Sequence, residues 1–121
     1  MKKPTVLIVD DDPSHLRIYG WIIQAAGFDP LPALVTHTDV ELRDGAAVDL
    51  VLLDYHLNAS MTAPEIAKLV RTRYSTAPIL VLSDAVMMPD DIGPLVDGFI
   101  RKGDPARLVE LVTQMLSKAV Q

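Results

Sequence analysis

Five aspartates, a serine and a lysine stand where apolar runs stop. Asp10-Asp11-Asp12 follow Val6-Leu7-Ile8-Val9, Asp54 follows Leu50-Val51-Leu52-Leu53, Ser83 and Asp84 close the run from Ile79, and Lys102 follows Gly98-Phe99-Ile100-Arg101. In an open parallel α/β sheet, ligands bind in the crevice beyond the carboxyl ends of the strands, so acids placed there converge although they are far apart in the chain. Carboxylates brought that close repel, and a divalent cation relieves the repulsion. Mg²⁺ takes one or two carboxylates, keeps several waters and commonly sits beside phosphoryl oxygens, so an acidic strand-end cluster points to metal and phosphate chemistry.

The elements that must position these groups are short β-branched runs alternating with helical patterns, the signature of βα units and of a doubly wound parallel sheet. The first helix has Asp12 to cap it, Pro13 for its first turn and Gly27 as a left-handed stop. Its core face reads Leu16, Tyr19, Ile23 and Ala26. The second run, Phe28 to Val35, contains Pro30 and Pro32, which cannot donate to a central ladder, so it is expected at an edge. A short second helix is expected next, with Thr38 and Glu41 in capping-box spacing and Gly45 as its stop. The third helix begins with a second such box, Thr62 and Glu65, carries Pro64 in its first turn and runs to about Tyr74. Between strands four and five, Pro89, Gly93 and Pro94 leave room for barely one helical turn, so the fourth helix is expected to be short or absent. The last helix starts at Asp104-Pro105 and buries Leu108, Leu111, Val112, Met115 and Ala119 at helical spacing.

Composition excludes several classes. At 121 residues the chain fits one domain, 1–121, with a core that needs no disulfide. Half of it is hydrophobic and 22% charged, which suits a sheet covered on both faces and not a disordered acidic tail. With no cysteine there is no thiolate ligand or cysteine nucleophile, and a reducing, cytoplasmic setting is expected. Thr5 to Val9 is too short for a signal peptide's apolar region, and no window reaches the ~18 apolar residues of a membrane span. With 11 basic against 16 acidic residues and a net charge of −5, nucleic-acid binding is not expected.

With strand two on an edge, the flavodoxin-like order 2-1-3-4-5 sets strands one and three side by side, about 4.8 Å apart. Asp10, Asp11 and Asp54 then face one another. Strand four brings Ser83 and strand five brings Lys102, about 10 Å from Asp54 by strand spacing, a gap that a lysine side chain spans. Two acids for a cation, a third between them and a hydroxyl, and an ammonium form a set suited to accepting a phosphoryl group.

Val9-Asp10-Asp11, Leu53-Asp54, Leu82-Ser83 and Arg101-Lys102, in this order and on these elements, resemble the receiver domain of two-component response regulators over the whole chain. The resemblance implies that Asp54 takes a phosphoryl group from the phosphohistidine of a histidine kinase or histidine phosphotransfer protein. It implies Mg²⁺ (or Mn²⁺) held by Asp11 and Asp54, by Asp10 through water, and by the backbone carbonyl of His56. Ser83 and Lys102 would engage the new phosphate and draw strands four and five toward it, with Phe99 as the aromatic that reports the shift. Such a domain catalyses its own phosphorylation and dephosphorylation while serving mainly as a signalling switch.

Several positions depart from the family pattern. Asn58 replaces a common proline, Ala63 a glycine, and Gly103 the proline after the lysine. Asp84 stands where a small residue is preferred, and its carboxylate could repel an incoming phosphoryl group. His56 lies where family members tune acyl-phosphate lifetime. The weakened fourth helix alters the face through which relatives commonly signal, so output through another surface, or relay alone, is expected. The rival reading is a pseudo-receiver that keeps the fold without productive phosphorylation.

Plainer readings stand beside these. Asp10 to Asp12 could be a helix-capping cluster, Ser83 a turn former and Lys102 a snorkelling surface residue. His15, His37 and His56 show no metal-ligand spacing and are read as surface residues. Ile18, Trp21, Ile22 and Ala25 form a second apolar arc on the first helix, either buried against the sheet or a docking patch for a partner's helices. Val109 and Leu116 extend the last helix's apolar face, which would suit a weak homodimer. A haloacid-type phosphatase wants a second aspartate where His56 stands, and flavin binding a Ser/Thr/Gly-rich first loop where the triple aspartate stands.

Overall fold

The computed structural model describes residues 3–37, 39–42, 47–57 and 61–120, with 118–120 by backbone alone. Three strands are buried along their whole length: β1 (Thr5–Asp10), β3 (Leu50–Asp54) and β4 (Ile79–Ser83). Their uninterrupted apolar runs demand cover on both faces, and the helices supply it. The strand β2 (Asp29–Leu34) lies outside β1, and β5 (Gly98–Arg101) outside β4, in the all-parallel order β2-β1-β3-β4-β5. The edge position of β2 is what its two prolines require.

Alternate residues of the strands divide the core in two. Val6, Ile8, Leu50, Leu52, Leu80 and Leu82 face α1 (Pro13–Ala25) and α3 (Pro105–Val120), packing on Ile23, Leu108 and Val112. Leu7, Val9, Val51, Leu53, Ile79 and Val81 face α2 (Ala63–Arg73), packing on Ile66, Ala67 and Val70. The expected caps form: the Asp12 side chain accepts from the Ser14 amide at 2.8 Å, and Thr62 Oγ1 from the Glu65 amide at 3.4 Å. Gly27 stops α1 with φ +96°.

Two expectations are corrected. Residues 39–42 and 47–48 are not helical, although Thr38 and Gly45, the expected cap and stop, lie outside the described residues. The Thr36 hydroxyl accepts from the Asp39 amide at 3.2 Å, and buried Val35 and Val40 pair in an antiparallel bridge. Local side-chain bonding of this kind competes with helix, and here it wins. Leu116 belongs to the inner core at 6% exposure, so it cannot face a second copy; Ala119 lies outside the described side chains.

Between β4 and β5 the single helical element is one 3-10 turn at Gly93–Leu95, as the prolines foretold. Side chains hold this connection in place. Asp97 Oδ2 accepts from Arg71 Nη2 at 2.7 Å and from the Ile79 amide at 2.8 Å, while Tyr55 donates its hydroxyl to Asp91 at 2.8 Å. Ile92 is fully buried beneath it. Among the described residues, no helix is long and apolar enough to cross a membrane.

Candidate functional site

The register places the chemistry. Val9 pairs with Leu53, so Asp10 and Asp54 follow level with one another on adjacent strands. Asp54 pairs with Leu82 and Ser83 with Arg101, which brings Ser83 and Lys102 to the same edge. Asp10, Asp54 and Ser83 are all buried, at 1%, 2% and 0% exposure. Lys102 reaches back across β4 to put Nζ 2.6 Å from Asp54 Oδ1, so the gap expected from strand spacing is closed by the side chain.

Each side chain has a defined setting. Asp10 Oδ1 accepts from the Asp12 amide at 3.0 Å, whereas its buried Oδ2 has no hydrogen-bond partner. Asp11 is half-buried beside Asp10, and its neighbouring carboxyl adds to the upward push on the Asp10 pKa. Ser83 Oγ accepts from the Ala85 amide at 3.1 Å, which leaves its O–H to donate elsewhere. His56 gives its amide to Asp54 Oδ1 at 3.4 Å while its side chain is exposed against the edge of Tyr55. Phe99 is half-buried on the α2 side of the core. Asn58 lies outside the described residues.

Burial and crowding show in the electrostatics. Desolvation, reinforced by the Asp54 charge, pushes the Asp10 carboxyl up to about 7. Burial alone would lower the Lys102 ammonium, but its hydrogen bond and charge interaction with Asp54 outweigh that and raise it. Asp84 is exposed, yet its charge is felt at both Lys102 and Tyr19. A buried carboxylate oxygen with no hydrogen-bond partner, beside a second buried carboxylate, is a costly arrangement that a divalent cation would relieve. The donor set fits such an ion.

One contact was missed from sequence. His15, read as a surface residue, does keep a side chain 44% exposed, but its Nδ1 is buried and 3.3 Å from Asp10 Oδ2, with Nε2 3.6 Å from Asp12 Oδ2. Donor atoms of Asp10, His15 and Asp54 all lie within 4.8 Å of one another. The missed signal was position: His15 occupies the first turn of the helix that leaves the acidic strand end.

Ile18 and Trp21 are exposed, at 49% and 63%, Ala25 is exposed, and Ile22 is half-buried. The apolar arc of α1 is therefore largely open to solvent. Beside it, a groove of about 200 Å³ runs between α1 and the β5–α3 turn, lined by Ile18, Ile22, Leu108 and Lys102 among others. Gly103 makes that turn with φ +93°, a conformation closed to proline.

No protein-family model matches the sequence, and no curated protein matches it. Solved structures do. The chemotaxis response regulator CheY4 of Vibrio cholerae superposes with a TM-score of 0.80 at 24% identity, covering 94% of this chain and 99% of that one. A CheY-like receiver domain protein from Methanospirillum hungatei gives 0.81 at 19%, covering 97% and 96%. The response regulator TrrA from Thermotoga maritima, solved in complex with Mg²⁺-BeF, gives 0.77 at 22%, covering 95% and 99%. The chain thus has the flavodoxin-like fold of CheY-like response-regulator receiver domains, with five parallel strands in the order 2-1-3-4-5 and, among the described residues, three α-helices.

Proposed function

We propose that residues 1–121 form a receiver domain that accepts a phosphoryl group on Asp54 from the phosphohistidine of a histidine kinase or histidine phosphotransfer protein. The observation that carries this reading is the buried Asp54 carboxylate held 2.6 Å from Lys102 Nζ, with Asp10 and Ser83 at the neighbouring strand ends. Attack of an Asp54 oxygen on phosphorus forms the acyl phosphate as the P–N bond breaks, and the leaving imidazole keeps the electron pair and a proton. Asp11 and Asp54, with Asp10 and the His56 carbonyl, would hold Mg²⁺ or Mn²⁺, which supplies charge neutralisation between attacking and transferred oxygens. Lys102 exchanges its partner from Asp54 to the phosphate, and Ser83 donates its hydroxyl. Both contacts are complete only after transfer, so both favour movement of β4 and β5, with Phe99 following. His56 and Asp84 border the acyl phosphate and set its formation and lifetime.

The partner's helices would dock on the exposed arc of Ile18, Trp21 and Ile22 beside the groove. Val109 is left as the residue of α3 for any weak homodimer. Because the β4–β5 connection is pinned as a loop, output runs through another surface or stops at relay. A cytoplasmic setting without membrane or nucleic-acid contact fits this role. The protein is expected to gain one phosphoryl mass increment with acetyl phosphate and Mg²⁺; a wild-type protein that stays unlabelled by intact mass would refute the proposal.

A second reading, a pseudo-receiver that binds partners without turnover, is favoured by Asp84, whose charge reaches Lys102. Replacing it tests how much it obstructs. Asp84→Ala should speed labelling by acetyl phosphate up to about fivefold, the effect of removing roughly 1 kcal/mol of repulsion near a partly solvated anion. An unchanged rate in quench-flow mass measurements would mean that Asp84 does not govern access.

A further inference from the structure

We infer that His15 is a metal ligand, and that its Nδ1, with the carboxylates of Asp10 and Asp54, tunes the crevice toward a first-row transition ion such as Mn²⁺ over Mg²⁺. This rests on the reading that the crevice takes a divalent cation, but not on phosphoryl transfer. Three observations converge on it. Both His15 Nδ1 and Asp10 Oδ2 are buried, and neither has a hydrogen-bond partner. They stand 3.3 Å apart, close to the roughly 3 Å between neighbouring donors around an octahedral ion with bonds near 2.1 Å, and one donor atom from each of Asp10, His15 and Asp54 lies within 4.8 Å of the other two.

The far side of the ring is equally suited. His15 Nε2 lies 3.6 Å from Asp12 Oδ2, so a carboxylate stands behind the imidazole, where a small closing movement would hydrogen-bond Nε2 and favour the tautomer that leaves Nδ1 free to bind metal. Asp12 itself is held by capping α1. One residue thus caps the helix and stands behind the ligand on its first turn. Mg²⁺ prefers oxygen donors and gains little from an imidazole, whereas the affinity of a mixed N/O site rises along the series from Mn²⁺ through Co²⁺. A half-exposed imidazole leaves room for water or a phosphoryl oxygen at the remaining positions.

The test is titration calorimetry of the phosphate-free protein with Mg²⁺ and with Mn²⁺, alongside pulsed EPR of the Mn²⁺ complex for coupling to an imidazole nitrogen. The ratio of Mn²⁺ to Mg²⁺ affinity is expected to be at least tenfold larger in the wild type than in His15→Ala, and the nitrogen coupling should vanish in the variant. His15→Asp, which offers oxygen instead, should keep Mg²⁺ binding while losing the coupling and the preference. If both ions bind and His15→Ala changes neither ratio nor spectrum, the inference fails and the cation site stands without His15. If neither ion binds the wild type, the cation reading itself falls, and this inference with it.

Discussion

Asp10→Asn is expected to stabilise the metal-free protein at pH 8 by about 1–3 kcal/mol, raising Tm by several degrees. The sign follows from linkage. The Asp10 carboxyl rises from 3.8 to about 7 in the folded chain, chiefly through burial and then through the Asp54 charge. Between those values the folded state binds more protons than the unfolded one, so the contribution of Asp10 to stability falls as pH rises through that window. Above it the penalty is complete; below the unfolded value it is absent. The advantage of Asp10→Asn should therefore shrink as pH is lowered from 8 to 5. A cation relieves the same penalty in the wild type, so saturating Mg²⁺ should narrow or reverse the difference. Urea melts of both proteins at several pH values, with and without Mg²⁺, check this; an advantage independent of pH would mean that Asp10 does not carry the strain.

Lys102→Met should destabilise the protein by about 3 kcal/mol at pH 8, because it strands the buried Asp54 carboxylate without its ammonium. Lys102 is itself 15% exposed and Asp54 2%, so water does little to replace the lost partner. The loss should be partly recovered in Lys102→Met/Asp54→Asn, where the stranded Asp54 charge is gone. The two single variants and the double close a cycle whose coupling should exceed about 1 kcal/mol. A coupling near zero would show that the 2.6 Å contact contributes nothing in solution.

How much of this could be read from the chain follows from physical range. The strand order was legible because two prolines in β2 forced it to an edge, and the convergence of Asp10, Asp54, Ser83 and Lys102 followed from strand ends and parallel topology. Caps at Asp12 and Thr62 were legible because they are local. The helix expected near Thr38 was not, since the capping-box spacing says nothing of the Thr36 turn or of the burial that draws Val35 and Val40 together. His15 was missed for a related reason. Spacing rules seek ligands from one segment, whereas its companions come from β1 and β3 through the fold. The exposure of Trp21 and the burial of Leu116 were beyond periodicity, which marks an apolar face but not how much of it the sheet covers.

The carboxylate at the end of β3 is the proposed phosphoryl acceptor. Treating the protein with acetyl phosphate and Mg²⁺, reducing any acyl phosphate with borohydride and mapping the peptides by tandem mass spectrometry tests it directly. Homoserine is expected at position 54, with no reduction product in Asp54→Asn. Reduction at another aspartate, or a wild-type protein with no reduced residue, would contradict it.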